Sequence, residues 1–127
     1  MKKLYGVVVP IVTPLTQEDA IDVTSLKRLA DHCIDSGMQA IYPCGTTGEM
    51  MYLSVEERRL VAETVVRHAA GRVPVFVHVG AWNLRDTVEL AKHAAEIGAD
   101  GIAVVTPAFF SVRDQGLVDY FTTVAKS

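Results

Sequence analysis

Apolar and polar positions alternate along this chain in a recurring order: a short apolar run, a polar loop, an amphipathic stretch and a glycine, with a period of roughly 30 residues. The apolar runs fall at residues 6–12, 39–43, 73–79 and 101–105. They are rich in Val and Ile and show little polar alternation, the pattern of strands covered on both faces in a parallel sheet. The stretches between them have helical spacing and clear punctuation. Asp22 caps the first, whose apolar positions Leu26, Leu29, Ala30, Cys33 and Ile34 share one face, and Gly37 ends it. Ser54 and Glu57 have the spacing of a capping box for the second, which Gly71 ends. Asn83 caps the third, with Asp86 in its first turn and Gly98 at its end, and Ser111 is the expected cap of the fourth. Leu117, Phe121, Val124 and Ala125 form the expected buried stripe of that last helix.

Four successive βα units predict a parallel α/β fold. An open sheet and a closed barrel both satisfy the pattern. A complete (β/α)8 barrel needs about 250 residues, so a chain of 127 has room for about half of one. By length it forms one domain, residues 1–127. A small open sheet of flavodoxin type is a weaker fit, because that plan has a fifth strand. The chain carries neither a Walker A loop nor a Gly-x-Gly-x-x-Gly fingerprint, and no nucleotide cofactor is expected.

Composition narrows the function classes. Half of the residues are hydrophobic, 21% are charged and the net charge is −3. There is no basic patch for nucleic acid and no polybasic membrane segment. No run approaches transmembrane length. The stretch after Met1-Lys2-Lys3-Leu4 reads as a buried strand and not an export signal, since Pro10, Pro14 and the acidic Glu18-Asp19 interrupt it. Two cysteines, Cys33 and Cys44, make no disulfide framework, which suits a reducing cytoplasm. Four histidines and two cysteines show no metal-ligand spacing, so no metal is expected.

Candidate chemistry concentrates at Gly45-Thr46-Thr47-Gly48-Glu49, directly after the second apolar run. This stretch reads as the loop at the C-terminal end of a parallel strand, where α/β folds keep their sites. Its glycines allow a sharp turn and a close approach to a ligand. Its threonines bring hydroxyl and backbone N–H donors suited to a small carboxylate. A plain strand-to-helix turn built from ordinary turn residues satisfies the same local pattern. His78 stands near the end of the third run and is a candidate pocket residue or a core histidine bonded to backbone. His32, His68 and His93 fall within helices as surface or packing residues, and Cys44 reads as a buried strand-end thiol. Trp82 lines a pocket mouth or caps the rim, and Phe109 and Phe110 follow the fourth run as pocket or packing aromatics.

Taken in order, Val12-Thr13-Pro14, Gly45-Thr46-Thr47-Gly48-Glu49 and Thr106-Pro107, with Ser54-Val55-Glu56-Glu57-Arg58 and Gly98-Ala99-Asp100-Gly101, resemble the dihydrodipicolinate synthase / N-acetylneuraminate lyase family. The resemblance runs from Tyr5 to Ser127 and corresponds to the N-terminal half of that family's barrel, a parallel (βα)4 half of a TIM (β/α)8 barrel. It implies a lyase or aldolase using Schiff-base chemistry on pyruvate or a related 2-keto acid, in which a lysine amine condenses with the keto carbon. Carried over, Gly45, Thr46 and Thr47 bind the keto-acid carboxylate and Thr46 also joins a proton relay. Glu49 and Thr13 orient the loop. In the family the imine lysine lies on the sixth strand and the main catalytic tyrosine on the fifth, and this chain stops before either. Lys2, Lys3, Lys27, Lys92 and Lys126 read as solvated helix or terminal residues, so the chain alone is expected to be inactive.

Where the family's synthases carry a tyrosine two residues after Thr-Pro, this chain has Phe109, which cannot relay a proton. That shifts the expectation toward the aldolase and lyase branches. Half a barrel also leaves two open edges and an uncovered lumen face. The expected partner is therefore a second copy, giving a homo-oligomer, or the C-terminal half of the barrel. The rival to the enzyme reading is a non-catalytic half-barrel that self-associates or binds a partner and keeps at most a weak carboxylate site.

Overall fold

Local sequence signals place the helices. In the computed structural model, which describes residues 5–108 and 110–127, the Asp22 carboxylate accepts the Ser25 N–H at 2.9 Å and opens α1, Val23–Asp35. Ser54 and Glu57 form a reciprocal capping box for α2, Val55–Ala69. Asn83 accepts the Asp86 N–H and opens α3, Leu84–Glu96. These three caps satisfy amide groups that a helix N-terminus leaves unpaired. The fourth helix, α4, Asp114–Ala125, begins later than its expected cap. Arg113 holds the cap position and gives no side-chain bond, so Ser111 lies outside the helix. Its buried residues are Tyr120 and Val124, while Phe121 is 38% exposed and Ala125 is exposed. Among the described residues the fourth helix packs chiefly against one helix, α3, which narrows the face it can bury.

Four short strands alternate with these helices: β1, Val8–Pro10; β2, Ala40–Tyr42; β3, Phe76–His78; and β4, Gly101–Ala103. Pairings between these strands are all parallel. Val9 lies opposite Ile41, and Val77 lies opposite Ile102. The β2–β3 seam is carried by a parallel bridge between Ile41 and Val75 and by the His78 N–H donating to the Pro43 carbonyl at 3.1 Å. The ladders are shorter than the apolar runs. Single bonds such as Ile11 N–H to the Tyr42 carbonyl extend them beyond their ends.

Strand order is β1-β2-β3-β4, with no reversal. Reversal of strand order is what defines the doubly wound sheet, so the flavodoxin-type reading fails. The helices follow one another in the same sense, α1 against α2, α2 against α3 and α3 against α4. One core joins them to the sheet: Ile41, Val75, Val77 and Val79 meet Leu26, Ala30, Val61, Val65, Leu90 and Ala94. Strand side chains alternate between faces. The helix layer thus takes Ile41 and Val77, and Tyr42, Phe76 and His78 point to the opposite face. This is the layout of consecutive βα units of a (β/α)8 barrel, helices outside and the second face turned to the lumen.

Candidate functional site at the strand ends

The loop after β2 is held from three sides. Cys44 adopts a left-handed backbone at φ 61°, as does Glu49 at φ 56°, so the two residues bracketing the turn are non-glycine positions of unusual conformation. Inside the turn, Gly48 N–H donates to the Gly45 carbonyl at 3.0 Å and Glu49 N–H to the Thr46 carbonyl at 3.0 Å. The Thr13 hydroxyl, buried at the end of the β1 segment, donates to the Gly48 carbonyl at 2.8 Å. Thr13 is therefore tied to the loop by a buried hydrogen bond. The Glu49 side chain makes no hydrogen bond among the described residues and acts through its backbone alone.

Close approach explains both glycines. A Cβ on Gly48 would lie 3.1 Å from the Ile11 carbonyl oxygen and 3.3 Å from the Cys44 nitrogen. A Cβ on Gly45 would meet the Tyr42 ring at 2.5 Å. Gly45 and Gly48 are buried while Thr46 and Thr47 between them are exposed. Two hydroxyls are thus presented at the C-terminal end of the strands on a turn whose flanks are fixed.

Next to this loop the lumen face carries Tyr42 and His78, whose rings meet edge to face at 6.0 Å and 75°. His78 is only 4% exposed, and its Nδ1 is buried without a partner. Burial, aided by the nearby Arg58 charge and opposed by a contact with the Cys44 backbone, lowers the imidazole pKa to about 4. At neutral pH it is an uncharged ring. The Cys44 thiol is buried and donates to the Arg58 carbonyl at 3.6 Å, and burial raises its pKa to about 11. A thiol so placed is inert at neutral pH.

Arg58 carries no expected role in the sequence reading, yet it joins this cluster. Its guanidinium donates from Nη1 to the Gly80 carbonyl and from Nη2 to the His78 carbonyl, both at 2.8 Å. Trp82 is exposed on the loop after β3, and Phe110 is exposed after β4. Phe109 lies outside the described residues. His93 is buried against Glu63 at 3.0 Å and His68 pairs with Asp31 at 2.9 Å, which makes both of them helix-to-helix contacts. Lys27 and Lys92 are exposed on helices, Lys126 is exposed at the end of α4, and Lys2 and Lys3 lie outside the described residues. Among the described residues no group of three or more His, Cys, Asp or Glu is placed to hold a metal ion, and no helix is long and apolar enough to cross a membrane.

Unreversed parallel strands, helices on one face and a donor-bearing turn at the strands' C-terminal ends define a barrel-type α/β protein with its candidate site at the barrel mouth. The chain belongs to the dihydrodipicolinate synthetase family, whose sequence pattern matches residues 3–127. It is 43% identical over 127 residues to N-acetylneuraminate lyase of Rattus norvegicus, covering 98% of this chain and 40% of that protein. It is 39% identical over 124 residues to 4-hydroxy-tetrahydrodipicolinate synthase of Brucella abortus, covering 98% of this chain and 42% of that one. Among solved structures, dihydrodipicolinate synthase from Aquifex aeolicus superposes with a TM-score of 0.93 at 38% identity, over 97% of this chain and 42% of that chain. YagE of Escherichia coli K12, solved in complex with pyruvate, does so with a TM-score of 0.93 at 36% identity, over 95% and 41%. The chain thus spans about two fifths of the length of the relatives it matches. Its fold is a half barrel of that family.

Proposed function

We propose that this chain is the N-terminal, carboxylate-binding half of a Schiff-base lyase or aldolase acting on pyruvate or a related 2-keto acid, with residues 1–127 forming one unit. The observation that carries this reading is the turn at residues 45–49: exposed Thr46 and Thr47 between two buried glycines, braced by the Thr13 hydroxyl on the Gly48 carbonyl. Preorganised donors of this kind suit a carboxylate. The pyruvate complex of the YagE relative gives the substrate class its support. In this reading Thr46 and Thr47 hold the keto-acid carboxylate, Thr46 passes protons, and the neutral His78 with Tyr42 lines the pocket wall.

The covalent step needs a lysine amine that attacks the keto carbon. Loss of water gives an imine, and its protonated form draws electrons from the C–C bond that is made or broken. No lysine among the described residues ends a strand. In this reading the amine comes from the other half of a complete barrel, and this chain by itself forms no imine. Borohydride reduction in the presence of pyruvate, read by mass spectrometry, is expected to leave every lysine unmodified, and a trapped adduct on any of them would refute this. In the same sample, pyruvate titrated against the 15N-labelled chain is expected to move the Gly45 and Gly48 amide signals, and Thr46→Ala and Thr47→Ala should weaken that response.

A second reading rests on Val7 and Val12 beside β1, Ile102 on β4 and Val105 just after it, all exposed apolar residues at the two outer strands. A half-barrel with such edges either pairs with a second copy as a non-catalytic module or docks its C-terminal half. Mixing with the C-terminal half of a family member separates the two, since recovered lyase activity supports the enzyme and a stable inert homodimer supports the module. The two free, buried cysteines suit a cytoplasmic setting for either.

A further inference from the structure

Strand β2 leaves the sheet one residue before β3 has finished needing it. His78 N–H, facing β2, finds the Pro43 carbonyl, whereas Val79 N–H turns the other way to the Ala103 carbonyl of β4 at 2.9 Å. By the two-residue period of a strand, the carbonyls of His78 and Gly80 also face the β2 side. There the neighbouring backbone has already turned away, at the left-handed Cys44. Two strand-end acceptors would be left with no strand beside them. The Arg58 fork fills that position, one nitrogen on each carbonyl at 2.8 Å.

The same residue reaches the departing strand. Its own carbonyl accepts the Cys44 thiol, so one position on α2 holds β3 through its side chain and the root of the 45–49 turn through its backbone. The side chain is 4% exposed, and among the described residues it forms no ion pair with a carboxylate. Asp86 is the carboxylate that favours the Arg58 charge, from beyond ion-pair contact, and the Arg58 Nε is buried without a partner, so a guanidinium buried this deeply is costly unless its remaining hydrogen bonds are good. A lysine ammonium, a single point charge, lacks the flat fork that serves two carbonyls two residues apart.

From this geometry we infer that Arg58 is a positioning residue of the mouth: it stands in for the missing strand beside β3 and so lets β2 turn off early into the carboxylate-binding loop. It touches no substrate and acts through the backbone at positions 44–48 and 78–80. The inference rests on the functional reading above in one respect only, that pyruvate is what the loop holds. The clamp itself is independent of that reading.

The test uses the 127-residue chain, 15N-labelled, as wild type, Arg58→Lys and Arg58→Met. Pyruvate affinity is read from the Gly45 and Gly48 amide signals, amide exchange is read at Gly48 and Glu49, and far-ultraviolet circular dichroism reports the helices. With helices intact in Arg58→Lys, the expected result is pyruvate affinity weakened at least about tenfold and faster exchange at Gly48 and Glu49, with Arg58→Met affected as much or more. Wild-type affinity and exchange in a folded Arg58→Lys chain would overturn the inference. If wild type itself ignores pyruvate, the carboxylate reading fails, and exchange at Gly48 and Glu49 still decides the clamp. Collapse of both variants, helices included, would also count against it, because Arg58 would then hold the whole domain and not the mouth.

Discussion

At Gly48 a single methyl group would be tight on three sides, 3.1 Å from the Ile11 carbonyl oxygen and 3.3 Å from both the Cys44 nitrogen and the Thr13 hydroxyl. The added carbon faces two backbone atoms, neither at the end of a flexible side chain, so Gly48→Ala must displace either the β1 segment or the turn itself. Overpacking of this kind costs about 1–3 kcal/mol; chemical denaturation should show that loss, and pyruvate response should fall with it. His78 makes a pH statement. In the unfolded chain its imidazole titrates near 6.5, and in the folded chain near 4. Between those values the unfolded state holds more protons, so stability falls as pH drops through that window, by on the order of 3 kcal/mol at most. Denaturation at pH 4.5 and 7 should show the difference, and His78→Gln should reduce it. Cys44 behaves in the opposite range. Its folded pKa of about 11 exceeds the ordinary 9.0, so its contribution is full below pH 9 and is lost as pH rises toward 11. The thiol should resist aromatic disulfide reagents at pH 8 until the chain is unfolded.

The helices show where a sequence speaks plainly and where it does not. Asp22, Ser54 and Asn83 are short polar residues directly before apolar helical spacing, and each bonds an amide of the first turn as that pattern implies. Ser111 has the same appearance but precedes Val112 and Arg113, and the backbone turns helical only at Asp114. Ser54→Ala should therefore cost about 1 kcal/mol, while Ser111→Ala should stay within about 0.5 kcal/mol; paired urea titrations distinguish them. The 45–49 turn was legible because its residue types carry their own conformational meaning. Arg58 was not. In a capping-box helix rich in Glu and Arg it reads as solvated, and only contacts to residues 20 and 22 positions further on reveal it as buried. The strand ladders proved shorter than the apolar runs because an apolar run records burial, whereas a ladder needs an adjacent strand that has not yet turned away.

For the molecule as a whole, the absence of strand-order reversal excludes a doubly wound sheet, a choice that hydrophobic periodicity alone left open. With all helices on one side, the face bearing Tyr42, Phe76 and His78 has no layer of its own among the described residues. Val7, Val12, Ile102 and Val105 stay exposed, and burying one Val or Leu contributes roughly 1.5–3 kcal/mol, so the isolated chain should bind a hydrophobic dye such as ANS and sediment above monomer mass. A well-behaved, dye-silent monomer would contradict this. A doubly wound sheet makes its own crevice where its order reverses. Consecutive strands make none, and a ligand held at the 45–49 turn is enclosed only once a ring is closed. Ligand occupancy and ring closure then become one coupled equilibrium. Whatever factor closure adds to the grip on a ligand at the mouth, the ligand must return to closure, and under the proposed function a small keto acid would become part of what holds the barrel together.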